Sequence, residues 1–411
     1  MGMRILQVGA TYSGAQEKIQ YSIHRFLQSH GEDSYILYAY GESNDINIIR
    51  YESRVAKILR RFIHKYITRS PHCAFLSTFQ LINNINKIKP DIVHLHVLHH
   101  GYIDYLWLFR YLAKKKIPVV YTMHDMWVFT GGCYYYNDVK CNGYRSGCEN
   151  CPQSIYALDC NINRTAHYLN AKSNLYDKLN KIMFVAVSDW VLNEAKKSLI
   201  YKYPMHTIWN ALDSDIFREK KTFKHEKHES IQFSDESFKI IGVANTWIKR
   251  KGIHKFIELA KILGDKYQII LVGNAGKEIQ LNSPSNILYV GMIKDKMELA
   301  SYYKKADIHI SMSLEETFGY TFVEAAFSGT KSIGYDSTAI PSVLRMVKGF
   351  VIQEHSVLAV ANQVKKLHAN RGLCKLTSAE IEEIYKKFSP DKMAGEYYKI
   401  YSNLLSDGAL V

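Results

Sequence analysis

The sequence predicts an α/β protein of two doubly wound domains, and three observations carry the prediction. At 411 residues the chain is too long for one typical domain and fits two of about equal size. Short apolar runs alternate with amphipathic segments of helical spacing, the pattern of a parallel sheet covered by helices. The pattern restarts at Lys239-Ile-Ile-Gly-Val-Ala244, after a charged tract from Arg218 to Glu229 that reads as a linker. Hydrophobic residues make up 47% of the chain, enough for two cores. Neither a repeat of fixed period nor a low-complexity tract is present, which argues against a solenoid or a disordered scaffold.

In chain order, Met3 to Val8 reads as a first buried strand leading to the Gly9–Gly14 loop, then a helix with Ile19, Ile23, Phe26 and Leu27 on one side. Because the chain enters a strand directly rather than a signal peptide, and no run of about eighteen apolar residues follows, the expected location is the cytoplasm. The loop lacks Gly-x-Gly-x-x-Gly, so a tight turn and a phosphate contact both remain open. Arg54 to Arg69 is basic and amphipathic: Val55, Ile58, Leu59, Phe62, Ile63 and Tyr66 recur at helical spacing, with six basic residues largely elsewhere. Either this helix packs its apolar stripe on the domain or it lies on an anionic membrane surface. Asp91 to His96 and Ile117 to Met123 are strands separated by the helical Tyr102–Lys116, and the second ends in His124, where strand ends of an open sheet face ligand.

Four of the seven cysteines, Cys133, Cys141, Cys148 and Cys151, fall in one short stretch. Their spacing allows a structural zinc held by four thiolates, with reduced thiols in a tight loop as the alternative; four thiolates would leave no open position for catalysis. Asn163 to Leu179 reads as a helix, Ile182 to Val187 as a strand, and Ser188 as a helix cap. Asp213 and Asp215 read as a cap and hinge rather than a metal pair.

In the second half, Lys251-Gly252 opens a helix carrying Phe256, Ile257 and Leu259. Strands follow at Tyr267–Val272, Ile287–Val290 and Lys331–Tyr335, and two C-terminal helices at Phe388–Ala394 and Tyr397–Leu405. Between them lies the most informative stretch, Ser313 to Gly329. The run Ala306–Met312 is strand-like, and from Thr321 onward Phe322, Ala325 and Ala326 share a helical face. A strand, a tight loop with Gly319 and a helix N-terminus form an anion site, flanked by Glu316 and Glu324, whose carboxylates suit sugar hydroxyls. A diphosphate attached to a sugar is the ligand this chemistry describes.

The string from Glu316 to Glu324 resembles the Glu-(x)7-Glu signature of retaining glycosyltransferase family 4. His124-Asp-Met-Trp127, Thr130-Gly-Gly-Cys133 and Gly147-Cys-x-x-Cys-Pro152 are similar to its colanic acid and exopolysaccharide subgroup. The resemblance implies the GT-B fold: two facing Rossmann-like domains, 1–215 on the acceptor side and 216–387 binding the nucleotide sugar, with 388–411 packing back on the first. It implies that Glu316 contacts the donor sugar, with Glu315 as its rival. Phe318, Gly319, Tyr320 and Thr321 would meet phosphate, and Glu324 would hold the ribose. His124 would touch the sugar, Gly14 would face the diphosphate, and the backbone near Met292 would meet the base. Lys251 matches the lysine that neutralises diphosphate; the family's arginine has no counterpart at Asn245 to Trp247, leaving Arg250 as its substitute.

The implied reaction moves a sugar, with retention and no catalytic metal, from a nucleoside diphosphate to a hydroxyl of a saccharide, with a lipid diphosphate-linked acceptor as the expected partner. An epimerase of nucleotide sugars on the same plan is the competing enzyme. The balance of 53 basic over 39 acidic residues, +14, together with 30 tyrosines, suggests nucleic-acid binding, but no nucleic-acid motif accompanies it and none is expected as partner.

Overall fold

The computed structural model describes residues 2–12, 14–66, 71–99, 101–153, 164–213, 215–218 and 236–406. Residues 67–69 of the basic segment, 219–229 of the linker tract and Asn163 lie outside the described residues. The chain divides into two compact units, Met1–Ala211 with Pro390–Val411, and Leu212–Ser389.

In the first unit seven parallel strands form one sheet in the order β3-β2-β1-β4-β5-β6-β7. They are β1 (Arg4–Tyr12), β2 (Asp33–Gly41), β3 (Ile48–Arg50), β4 (Ile92–Leu95), β5 (Val119–Met123), β6 (Ile182–Ala186) and β7 (Met205–Thr207). Every residue of β4, β5 and β6 is buried, as strands covered by helices on both faces must be. The second unit repeats the plan with β8 (Phe238–Thr246), β9 (Tyr267–Asn274), β10 (Ile287–Gly291), β11 (Ile308–Ser311), β12 (Ser332–Tyr335) and β13 (Phe350–Ile352) in the order β10-β9-β8-β11-β12-β13. In each sheet the order reverses once, between β1 and β4 and between β8 and β11. Ligands of such sheets bind outside the carboxyl ends of the strands at that reversal.

The three-residue strands β3, β7 and β13 are too short to show a period of two, and carried no separate expectation. The tail differs from expectation: Pro390–Leu405 is one 16-residue helix, with Pro390 in its first turn, where its missing N–H costs nothing. This helix packs on the first unit. Tyr397 and Tyr401 hydroxyls bond Thr122 (2.8 Å) and His94 (2.7 Å), and Lys181 donates to the Leu404 carbonyl at 2.9 Å.

The basic segment forms α2 (Arg54–Tyr66), after α1 (Gly14–Ser29). Its inward face takes only part of the apolar stripe, the half-buried Leu59 and Ile63. Ala56 and Arg60 are buried, while Val55, Ile58, Phe62 and Tyr66 are exposed at 69%, 68%, 53% and 64%. The cause is a buried charge that can be satisfied only inward. Arg60 Nε donates to Glu52 Oε1 (2.9 Å), which also accepts from the Ser77 hydroxyl (2.8 Å); Arg60 Nη1 donates to the Gly101 carbonyl (3.3 Å) and Nη2 to the Tyr40 hydroxyl. Removing one partner of a buried pair strands the other. Arg60→Ala is therefore expected to destabilise the first unit by ~3–5 kcal/mol. Urea denaturation reads this, and a loss under about 1 kcal/mol, the range of surface pairs, contradicts it.

Candidate active site

In the second unit the loops that follow β8 and β11 meet at the order reversal. After β8 the chain makes a single 3₁₀ turn, Lys249–Lys251, closed by Gly252 at φ 77°. A Cβ at Gly252 would stand 2.7 Å from Met312 Cβ, so only glycine lets the turn close on the end of β11. That close approach sets Lys251 beside the loop after β11, where its Nζ lies 2.5 Å from Glu316 Oε1. Lys251 and Glu316, 65 positions apart in sequence, form one ion pair.

The loop is held from its other side. The Ser337 hydroxyl donates to the Leu314 carbonyl (2.6 Å), Glu316 N–H donates to Thr338 Oγ1 (3.0 Å), and Ala339 N–H to the Glu316 carbonyl (3.2 Å). Thr338 adopts φ 55°, a left-handed conformation that a threonine holds only under such constraint. Glu315 is fully buried and Glu316 half-buried, so of the two carboxylates it is Glu316 that stands at the surface with Lys251. Arg250 Nη1 reaches the Glu315 carbonyl at 3.4 Å.

The following helix spans Tyr320–Phe327, one residue earlier than the spacing suggested, with Gly319 as N-cap at φ 90°. A Cβ at Gly319 would meet the Phe322 ring at 2.7 Å. No side chain caps this helix at its N-terminus, where the positive end of its dipole lies. Phe318 is buried against the Phe388 ring, anchoring the start of the turn, while Tyr320 and Thr321 are half-buried. From Phe322 to Phe327 every residue is buried, Glu324 included. A carboxylate in such a helix needs a partner, and the Lys296 ammonium supplies it at 2.6 Å, with the Tyr303 hydroxyl donating at 3.3 Å. Met292, after Gly291 at the end of β10, is exposed.

Lys296, Thr338 and Tyr303 were not singled out from the sequence. Lys296 follows Asp295, whose side chain accepts from the Met297 and Glu298 N–H groups, and reads locally as nothing more than the start of a capped helix.

The first unit contributes a separate constellation at its own reversal. His124 sits at the end of β5, and its Nε2 lies 3.0 Å from His96 Nδ1. The network fixes the protons. Gln7 Nε2 donates to the Gln20 carbonyl (2.9 Å), leaving Gln7 Oε1 to accept from His96 Nε2–H (3.2 Å). His96 Nδ1 is then a bare lone pair, so His124 Nε2 carries the proton and its Nδ1 is an acceptor. Burial pushes His124 down to about 4, so the ring is neutral at physiological pH. His96 and His94 are likewise held well below the usual histidine value, by burial first and by neighbouring imidazoles second.

Beside them His99 Nε2 lies 2.7 Å from Asp125 Oδ2. Burial alone would raise the Asp125 carboxyl, but His99 and the Trp127 N–H bring it below its ordinary value. Alternation along an extended strand puts His94 and His96 on one face of the sheet, a pairing that their spacing of two already carries in the sequence. Gly14, the first residue of α1, stands two positions beyond the end of β1.

The cysteine loop lies in the same unit. Cys133, Cys141, Cys148 and Cys151 are free thiols. Cys148 Sγ accepts from the Gly131 N–H (3.2 Å) and Cys141 Sγ from the Gly143 N–H (3.4 Å). Burial raises the Cys148 thiol and pushes Cys133 up to about 12. Among the described residues no three His, Cys, Asp or Glu side chains converge so that they could hold a metal ion. The Lys172 ammonium is buried near Cys148 and Cys133, donating to the Trp127 (2.5 Å) and Thr130 (2.7 Å) carbonyls. Burial pushes this lysine down to about 7.

Two doubly wound parallel sheets, each with one order reversal, make the fold GT-B, and the family models give the class of activity. Residues 17–216 match the model of Glycosyltransferase Family 4 and residues 224–386 that of Glycosyl transferases group 1. With both units matched, the chain belongs to the family 4 type of glycosyltransferases. It is 23% identical to the putative colanic acid biosynthesis glycosyl transferase WcaC of Escherichia coli K12, over 98% of this chain and 100% of that protein. Among solved structures, sucrose-phosphate synthase of Thermosynechococcus elongatus matches with a TM-score of 0.72 at 15% identity, over 99% of this chain and all of that one. Anabaena HepE in complex with UDP matches at 0.62 and 14%, over 98% and 100%.

Proposed function

We propose that the chain is a retaining glycosyltransferase that moves a sugar from a nucleoside diphosphate to a hydroxyl of a saccharide in bacterial surface polysaccharide synthesis. The observation that carries this reading is the Lys251–Glu316 pair beside the uncapped helix of Tyr320. In the bound state Lys251 turns to the diphosphate, the amides from Phe318 to Thr321 meet the same anion, and Glu316 is released to the sugar hydroxyls. Glu324 exchanges Lys296 for the ribose, and the backbone near Met292 meets the base. Charge developing on the leaving diphosphate is neutralised by Lys251 and the helix N-terminus, with Arg250 adding to the field. This arrangement does not call for a catalytic metal. His124 Nδ1 accepts from a sugar hydroxyl, and Gly14 at the start of α1 leaves room for the substrate on the first unit.

The similarity to WcaC supports the polysaccharide pathway, and the UDP bound by HepE supports a nucleotide donor. Among the described residues no helix is long and apolar enough to cross a membrane. A lipid diphosphate-linked acceptor would instead be met at the inner face of the plasma membrane, with the protein bound peripherally. The test is a thermal-shift panel of nucleoside diphosphate sugars, followed by analysis of the product anomer. A donor at a hundred times its dissociation constant stabilises by ~2.7 kcal/mol, a shift of several degrees. Absence of a shift with every member of the panel overturns the reading, and an inverted anomer overturns retention.

A further inference from the structure

We infer that α2 is a bilayer-docking element in which a basic pocket holds the phosphate of an anionic phospholipid while the adjoining apolar ridge enters the headgroup layer. An ordinary surface helix buries its apolar stripe and shows water its charges. This one buries Arg60 and shows water Val55, Ile58, Phe62 and Tyr66. At 100° per residue, Val55, Phe62 and Tyr66 form one ridge, Arg54, Arg61 and Lys65 the next, and Ile58 lies between the two. Arg50, Arg54, Lys57, Ile58 and Arg61 line an open pocket of about 380 Å³. Among the described residues none of these four cations pairs with a carboxylate. A pocket walled by cations with an apolar margin has the charge and shape of a lipid phosphate with its glycerol and acyl carbons below it, and guanidinium groups match phosphate oxygens two at a time.

The position is fixed by the fold. Arg50 ends β3, and Arg60 is tied to Tyr40 near the end of β2 and to Gly101 in the loop after β4. The helix therefore sits at the carboxyl ends of the first sheet, the end that carries His124. A protein docked through α2 presents that end of its first unit to the bilayer, which deepens the reading of a lipid-borne acceptor above. The docking itself does not depend on sugar transfer.

The test is flotation of the full chain with vesicles of pure phosphatidylcholine and with vesicles containing phosphatidylglycerol, at low and high salt, beside donor hydrolysis in solution. Binding is expected only with phosphatidylglycerol and is expected to weaken with salt. The double variant Arg54→Glu/Arg61→Glu is expected to lower partitioning by on the order of a hundredfold, and Ile58→Ser/Phe62→Ser by about tenfold. Both should retain wild-type donor hydrolysis, which separates loss of docking from loss of the enzyme. Equal binding to both vesicle types, or binding that either variant leaves intact, overturns the inference. So does light scattering that shows a dimer broken by Phe62→Ser with no vesicle binding, which gives the face to a second copy. Pyrophosphate binding lost in the charge variant, without vesicle binding, gives the pocket to a soluble anion and also overturns it.

Discussion

Glu316→Ala and Lys251→Ala are each expected to lower kcat by roughly a hundred- to a thousandfold, the usual cost of removing one preorganised charge from a transition state. Folding should change little, because the pair joins two loops near the surface and carries side chains that keep 20% and 26% of their exposure. The two losses should differ in kind. Lys251 acts on charge that grows as the diphosphate departs, so its loss appears mainly in kcat. Glu316 holds the sugar in both ground and transition states, so its loss raises KM as well. The double variant should be little worse than the worse single one, since each side chain positions the other before the donor arrives. Turnover near wild type in both single variants sinks the assignment.

Acidification from pH 7.5 to pH 5 is expected to destabilise the first unit far more than the second. His94, His96 and His124 are held below the ordinary value of about 6.5, chiefly by burial. Below pH 6.5 the unfolded chain takes up protons that the folded chain refuses, so stability rises with pH through this window. The contribution is fully present above the unfolded value and is lost as the pH falls toward the folded one, about 4 for His124. His124 alone costs roughly 2 kcal/mol at pH 5, and His94 and His96 act in the same direction. Among the described residues of the second unit one buried histidine behaves alike, His309, pushed down to about 3. Calorimetry at the two pH values should show one transition moving by many degrees and the other by few. Midpoints that stay together across the range contradict the buried neutral network.

The strands β4, β5, β6, β8, β9 and β11 were legible because each is an uninterrupted apolar run between turn residues. Glycines at 252 and 319 were legible as turns, though not the atoms they avoid. Partnerships across the sheet were not legible. Nothing local in Lys296 points to Glu324, and nothing in Gln7 points to His96, because those pairings exist only once β1, β4 and the site helix take their places.

The case of α2 marks the limit most sharply. Its composition announced an amphipathic basic helix, and composition alone could not say which face turns inward. Arg60 decided it by finding Glu52, Tyr40 and Gly101 in the folded unit.

By itself the sequence determined the two-sheet architecture and the tight loop and helix start around Gly319. These depend on local periodicity, on glycine where φ is positive and on spacing along one chain. The tertiary structure alone decided that Lys251 meets Glu316, that Glu315 is buried, that His96 and His124 share one proton network and that α2 shows its apolar ridge to solvent. Each of these is a contact between segments distant in sequence, fixed by where a buried charge or lone pair finds its partner.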